Sequence, residues 1–163
     1  MNISFLLIGG NEGDRLANLA MARENIDRSG CRILRQSAVY ETAPWGRTDQ
    51  PDFLNQALEV ETSLEAPALM DVLLGIEERM GRRRTEKYGA RIIDIDILFF
   101  NDVVIRTPHL TVPHPEVQNR RFALAPMDEI AASYIHPVTG ASIHDLLLAC
   151  PDRLEVKKIQ PNA

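Results

Sequence analysis

With 163 residues, 45% of them hydrophobic and 25% charged, the chain has the composition of a single soluble domain, residues 1–163, whose core is large enough to fold without staples. No apolar run approaches the roughly 18 residues of a membrane span, and the opening MNISFLLIGGNEGD lacks a basic leader, so a cytoplasmic protein is expected. The formal net charge of −5 argues against a general nucleic-acid binder, and two distant cysteines, Cys31 and Cys150, argue against a disulfide scaffold or a zinc site.

The first predicted element is a strand over Asn2 to Ile8, which GGNEGD ends in a tight turn. A helix follows from Arg15 to Ser29, with Leu16, Leu19 and Ile26 on one face. Ile33 to Thr42 reads as a second strand, and Phe53 to Thr62 as a third, where Leu54, Leu58 and Val60 alternate with Asn55, Ala57 and Glu59. Leu69, Val72, Leu73, Ile76 and Met80 then recur at helical spacing, with Gly81 where a C-terminal cap belongs. After a basic loop comes a strand within GARIIDIDILFFN, then a hairpin-like stretch, a helix from Glu116 to Ile130, and a short helix from Ser142 to Ala149 opened by a capping-box SIHD. The order strand, helix, strand, strand, helix, strand predicts an α+β, ferredoxin-like βαββαβ core with an antiparallel sheet and a C-terminal helical extension.

The aspartate strand carries the chemistry. Residues two apart share a face, so Asp94 and Asp96 lie about 6.6 Å apart along one side while Ile93, Ile95 and Ile97 take the other. Two carboxylates that close repel unless a cation intervenes, and Mg2+ suits a pair of carboxylates that shares it with substrate phosphates. The competing reading is that they form ion pairs with Arg91 or its neighbours. Between Arg79 and Arg91, six basic residues stand against the single acid Glu86, a patch suited to a compact polyanion because guanidinium groups clamp phosphate oxygens bidentately. A carboxylate pair beside an arginine loop offers metal on one side and guanidinium donors on the other, the combination phosphoryl transfer needs.

No Walker-type phosphate loop is present, and GGNEG is not a dinucleotide fingerprint; Asn11 is read as holding a neighbouring loop by hydrogen bonds. His109, His136 and His144 read as surface or capping residues. His114, stiffened by a proline on either side, is a candidate phosphate donor or a loop histidine satisfied by backbone.

Taken together, TAPWGRTDQPDFLNQAL, GRRRTEKYGARIIDIDILFF, LTVPHPEVQNRRFALAP and the opening IGGNEGD resemble the 6-hydroxymethyl-7,8-dihydropterin pyrophosphokinase family, in order from Ile3 to Ile130. The resemblance implies transfer of the β,γ-diphosphate of ATP to the pterin hydroxymethyl oxygen in folate biosynthesis, with release of AMP and with two Mg2+ ions. By position it implies Asp94 and Asp96 as metal ligands, and Arg82 and Arg91 as the cations that stabilise the transferred group. It implies Glu77, Arg84, Ile97, Thr111, His114 and Arg120 at the ATP site, and Thr42, Pro44, Trp45, Asn55 and Phe122 at the pterin. The chain departs from the family pattern at Ala43, Tyr88 and Ala90, and Lys87 is the candidate for a loop lysine. A monomer is expected, with ATP and the pterin as partners and neither nucleic acid nor membrane. The rivals are an RNA-binding module on the same sheet, which lacks the aromatic run that would stack bases, and a phosphoryl transferase with another acceptor.

Overall fold

The computed structural model describes residues 1–44, 49–82 and 90–159. Strand β1 (Asn2–Gly10) leads to α1 (Arg15–Asp27), β2 (Cys31–Gln36), β3 (Val39–Thr42), β4 (Phe53–Thr62) and α2 (Ala66–Arg79). Next come β5 (Asp94–Phe100), a ribbon of β6 (Ile105–Arg106) and β7 (Thr111–Val112), a 3-10 turn at Val117–Asn119, α3 (Arg121–Ala131), α4 (Ile143–Ala149) and β8 (Val156–Ile159). The main sheet runs β5-β1-β4-β3-β8, with β2 also paired to β4, and its pairings are antiparallel. This is the expected ferredoxin-like order. Among the described residues no helix is long and apolar enough to cross a membrane. Cys31 and Cys150 are free and buried.

Alternation along β1 divides the core into two layers. Leu6 and Ile8 pack with Leu19 and Ile26 of α1 and Leu69, Leu73 and Ile76 of α2, whereas Phe5 and Leu7 pack with Ala123, Leu124 and Met127 of α3. Ile93, Ile95 and Ile97 join the first layer, as their spacing predicts. The β1–β5 register slips between Phe5 and Leu6, leaving Leu98 as an extra residue, so Leu98 and Phe99 both join the α3 layer. The carbonyl of Leu98 accepts the main-chain N–H of His114 at 2.9 Å, which fastens the His114 segment beside the aspartates.

Four features differ from the sequence reading. Ile33 to Thr42 is two strands: Ser37 N–H still donates to Ala57 O of β4 at 2.9 Å, but the main chain at Ala38 turns away from the ladder. The Ser37 hydroxyl accepts from Ala57 N–H, and Ala38 N–H donates to both carboxylate oxygens of Glu129. The helix expected from Glu116 is broken at Arg120, whose extended backbone (φ −122°, ψ 103°) separates the 3-10 turn from α3. Gly9 and Gly10 are strand rather than turn: a Cβ on Gly9 would meet Asn55 Oδ1 at 2.2 Å, and one on Gly10 would meet Ile92 O at 2.2 Å. Finally, β8 adds an edge strand to β3 that four residues with two lysines did not announce.

The end of α2 matches its expected cap and aims the basic segment. Gly81 adopts φ +92°, its N–H donates to Glu78 O, and Arg82 N–H donates to Glu77 O. This paired capping pattern turns the chain sharply, and Arg82 enters the interior at the first residue past the turn.

Candidate active site

A cavity of about 670 Å³ opens on the α3 face of the sheet and wraps round the free edge of β5 to reach α2. Its floor follows from strand register. Gly9 pairs with Asp94 on one side and with Asn55 on the other, so the three residues form one row across β5, β1 and β4. Two strand spacings, about 10 Å, therefore separate the Asn55 amide from the Asp94 carboxylate, with bare backbone between them. A side chain at Gly9 would fill that row.

The acidic end of the row is tightly compensated. Arg82 Nη2 contacts Asp94 Oδ1 at 2.7 Å, and Arg91 Nη1 holds the other oxygen. Arg82 also faces Glu77, whose side chain is 5% exposed and whose Oε2 accepts the outward Ile95 N–H at 2.6 Å. Glu77 thus supplies an acceptor to the unpaired edge of β5. The ion-pair reading of the aspartates holds for Asp94. Asp96 differs: burial first, then the charges of Asp94 and Glu77, push its carboxyl up to about 7 against the opposing pull of Arg120 and Arg91.

His114 presents one defined donor. Its Nδ1 accepts Glu116 N–H at 3.1 Å, which leaves Nε2 as the protonated nitrogen of a neutral ring. Burial, helped by the charge of Arg120, lowers its pKa to about 4. The folded chain therefore binds this proton less readily than the unfolded chain, and stability present above pH 6.5 is lost as the pH falls toward 4. Asp96, whose carboxyl is raised to about 7, contributes with the opposite sign over the same interval, so the His114 share is read as a difference: between pH 7 and 4, His114→Gln should gain about 3 kcal/mol of unfolding stability relative to wild type. An unchanged slope in the variant would refute the assignment.

Ten of the residues implied by the resemblance line this one cavity: Thr42, Asn55 and Phe122 at one end, Asp94, Asp96, Arg82 and Arg91 in the middle, and Glu77, His114 and Arg120 beyond. The Arg120 guanidinium carbon lies 5.7 Å from the Phe122 ring centroid, a contact the extended backbone at Arg120 makes possible. Pro44 is buried next to Thr42 without lining the cavity. Ile97 is in the core and Thr111 is exposed on β7, so the side chain of neither borders it, and a ligand contact at Ile97 would use the main chain. Trp45, Arg84, Lys87 and Tyr88 lie outside the described residues.

Phe53, Met70, Leu74 and His109 also line the cavity and were not foreseen. Phe53 was findable, since it shares a face with Asn55 two residues on. His109 reaches the cavity from the β6–β7 turn, where Nε2 lies 3.0 Å from Asp71 Oδ1 of α2, a meeting that no spacing along the chain encodes.

Among the described residues, no group of three or more His, Cys, Asp or Glu converges as a metal cage. Asp94 and Asp96 nevertheless fit a hard divalent ion that takes its remaining donors from water and phosphate, as Mg2+ does. The observation that supports the fit is the donor set: two carboxylates on one face of β5, both lining the cavity beside the arginines.

The chain matches the family model described as 7,8-dihydro-6-hydroxymethylpterin-pyrophosphokinase (HPPK) over residues 5–132. A 2-amino-4-hydroxy-6-hydroxymethyldihydropteridine pyrophosphokinase of Methylorubrum extorquens is 38% identical over 148 residues, covering 90% of this chain and 92% of the relative. The mitochondrial folate synthesis bifunctional protein of Pisum sativum is 42% identical over 85% of this chain, which spans 27% of that longer protein. A crystal structure of Plasmodium falciparum HPPK-DHPS with pteroate superposes with a TM-score of 0.74, covering 91% of this chain and 42% of that one; at 19% identity it bears on the fold alone.

Proposed function

Since the chain belongs to the 7,8-dihydro-6-hydroxymethylpterin-pyrophosphokinase family and is an ATP-dependent pyrophosphokinase of folate synthesis, we propose that its cavity carries the transfer, with the pterin at Asn55 and the polyphosphate at the arginines. The observation that carries this reading is the Asp94–Gly9–Asn55 row, about 10 Å long and open in the middle. A bicyclic pterin reaches across it. Its amide edge meets Asn55, which presents a donor and an acceptor, its faces meet Phe122 and Phe53, and its hydroxymethyl group arrives beside Asp94.

In the reaction the pterin hydroxyl oxygen bonds to the β-phosphorus of ATP, the bond from that phosphorus to the α,β-bridging oxygen breaks, AMP leaves, and the hydroxyl proton is released. Asp94 and Asp96 would hold Mg2+, two ions in the fullest form, which supply charge neutralisation to the polyphosphate and acidity to the alcohol when bound. The remaining work falls to the chain's own cations. Arg91 and Arg82 converge on Asp94, and with that carboxylate engaged by a bound ion their guanidinium groups would be free to grip phosphate oxygens. His114 Nε2–H donates to phosphate without adding charge of its own, and Arg120 balances the polyphosphate further in. Action as a monomer is part of this proposal.

The test is AMP release from Mg-ATP with and without 6-hydroxymethyl-7,8-dihydropterin. AMP formed only with pterin is the expected result. AMP formed without it, or none at all, would overturn the acceptor.

A further inference from the structure

Asn11 lies outside the cavity lining, is 2% exposed, and has every hydrogen-bonding group of its side chain engaged. Nδ2 donates to Gln50 Oε1 and to Pro51 O, both at 2.9 Å, while Oδ1 accepts Arg91 N–H at 2.9 Å. The Asn11 main-chain N–H donates to Arg91 O at 3.0 Å, so the N–H and the C=O of Arg91 are both fixed by one residue. Gln50 and Pro51 run through Asp52 into Phe53 and Asn55, the pterin wall, and Arg15 Nη1 ties that entry to the sheet through Asp52 O and Glu41. On the other side, the Arg91 side chain holds Asp94.

We infer that Asn11 is a positioning residue that couples the pterin wall to Arg91, so that seating the pterin against Phe53 and Asn55, which Gln50 and Pro51 lead into, fixes the backbone from which Arg91 reaches the phosphates. This rests on the proposed placement of pterin at Asn55. The physical basis is that a buried amide with three partners cannot follow one of them without straining the others. Its two halves do different jobs. The amide nitrogen serves the pterin side and the amide oxygen serves the arginine side, which predicts separable kinetic effects.

Asn11→Asp keeps the acceptor for Arg91 N–H but loses both donors and sets a carboxylate against Pro51 O. It should raise the pterin KM about tenfold and leave kcat near wild type, while Asn11→Ala should raise KM and also lower kcat about tenfold or more. Gln50→Ala, at a partly buried position, should raise the pterin KM and add nothing when combined with Asn11→Ala. A residue that only braced the fold would lower the unfolding midpoint in both Asn11 variants and change their kcat alike. That outcome, or a Gln50→Ala enzyme with unchanged pterin KM, overturns the coupling, and Gln50→Ala decides alone if the Asn11 variants do not fold. Asn55→Ala, titrated with pterin by fluorescence without ATP, separates the two ideas. Unchanged pterin binding there sinks the placement of the substrate, whereas weakened binding there with a silent Gln50→Ala sinks the coupling only.

Discussion

Asp96→Ala is expected to lose pterin-dependent AMP formation by about a thousandfold or more while the ligand-free protein becomes no less stable. The two effects run in opposite directions for one reason. The Asp96 carboxyl is half-buried on the cavity floor near Asp94 and Glu77, and burial with those like charges pushes it up to about 7. Removing it relieves repulsion in the folded chain and removes a donor in the loaded one. Asp94→Ala should lose activity to the same extent but also stability, by about 3 kcal/mol, because Arg82, 10% exposed, loses its 2.7 Å partner and stays buried. Among the described residues, Nε and Nη1 of Arg82 make no hydrogen bond that would replace it. Thermal unfolding beside single-turnover AMP formation decides the matter. An Asp96→Ala protein that unfolds earlier and still turns over would contradict the reading of the carboxylate pair.

Arg91→Ala should lower the rate of the transfer step by about a thousandfold with little change in the binding of either substrate, since its guanidinium serves charge that spreads over the phosphates in the transition state. The fold should tolerate the change. Arg91 is held through its main chain, with N–H on Asn11 Oδ1 and C=O accepting from Asn11 and Glu12, and none of those bonds involves the side chain. Arg91→Lys should recover little, because a compact ammonium cannot grip two phosphate oxygens as a planar fork does. Rapid-quench measurement at saturating Mg-ATP and pterin tests this directly. A variant within about threefold of wild type would remove Arg91 from the chemistry.

The elements whose periodicity was strong are where the sequence placed them. Strand β4 spans Phe53–Thr62 as read, Gly81 caps α2 with a positive φ, and Ser142 Oγ caps α4 by accepting Asp145 N–H at 3.1 Å. Where the reading was wrong, a distant partner had intervened. The break between β2 and β3 depends on Glu129, some ninety positions away by the hydrogen bond it makes to Ala38, and no local signal at Ser37 reports it. Arg121 N–H at the start of α3 donates to Asp152 Oδ2, another long-range contact, so the interruption at Arg120 was equally invisible. The glycine pair was misread because glycine marks two different needs. Gly81 answers to backbone angle, whereas Gly9 answers to the absence of room beside Asn55.

The chemistry of the site was legible in one dimension because it depends on residue type at short spacing: Asp94 and Asp96 share a face by strand periodicity, and the arginines that meet Asp94 lie within twelve positions of it. The order of strands and helices likewise follows from local hydrophobic period. Only the tertiary structure decided which distant residues stand opposite one another. The Asp94–Gly9–Asn55 row is made by the registers of three strands, His109 and Met70 reach the same cavity from a ribbon and a helix, and Asn11 joins Gln50 to Arg91. Register and cross-layer contacts are set by how the two cores pack as a whole, a property of the folded chain that no window of sequence contains.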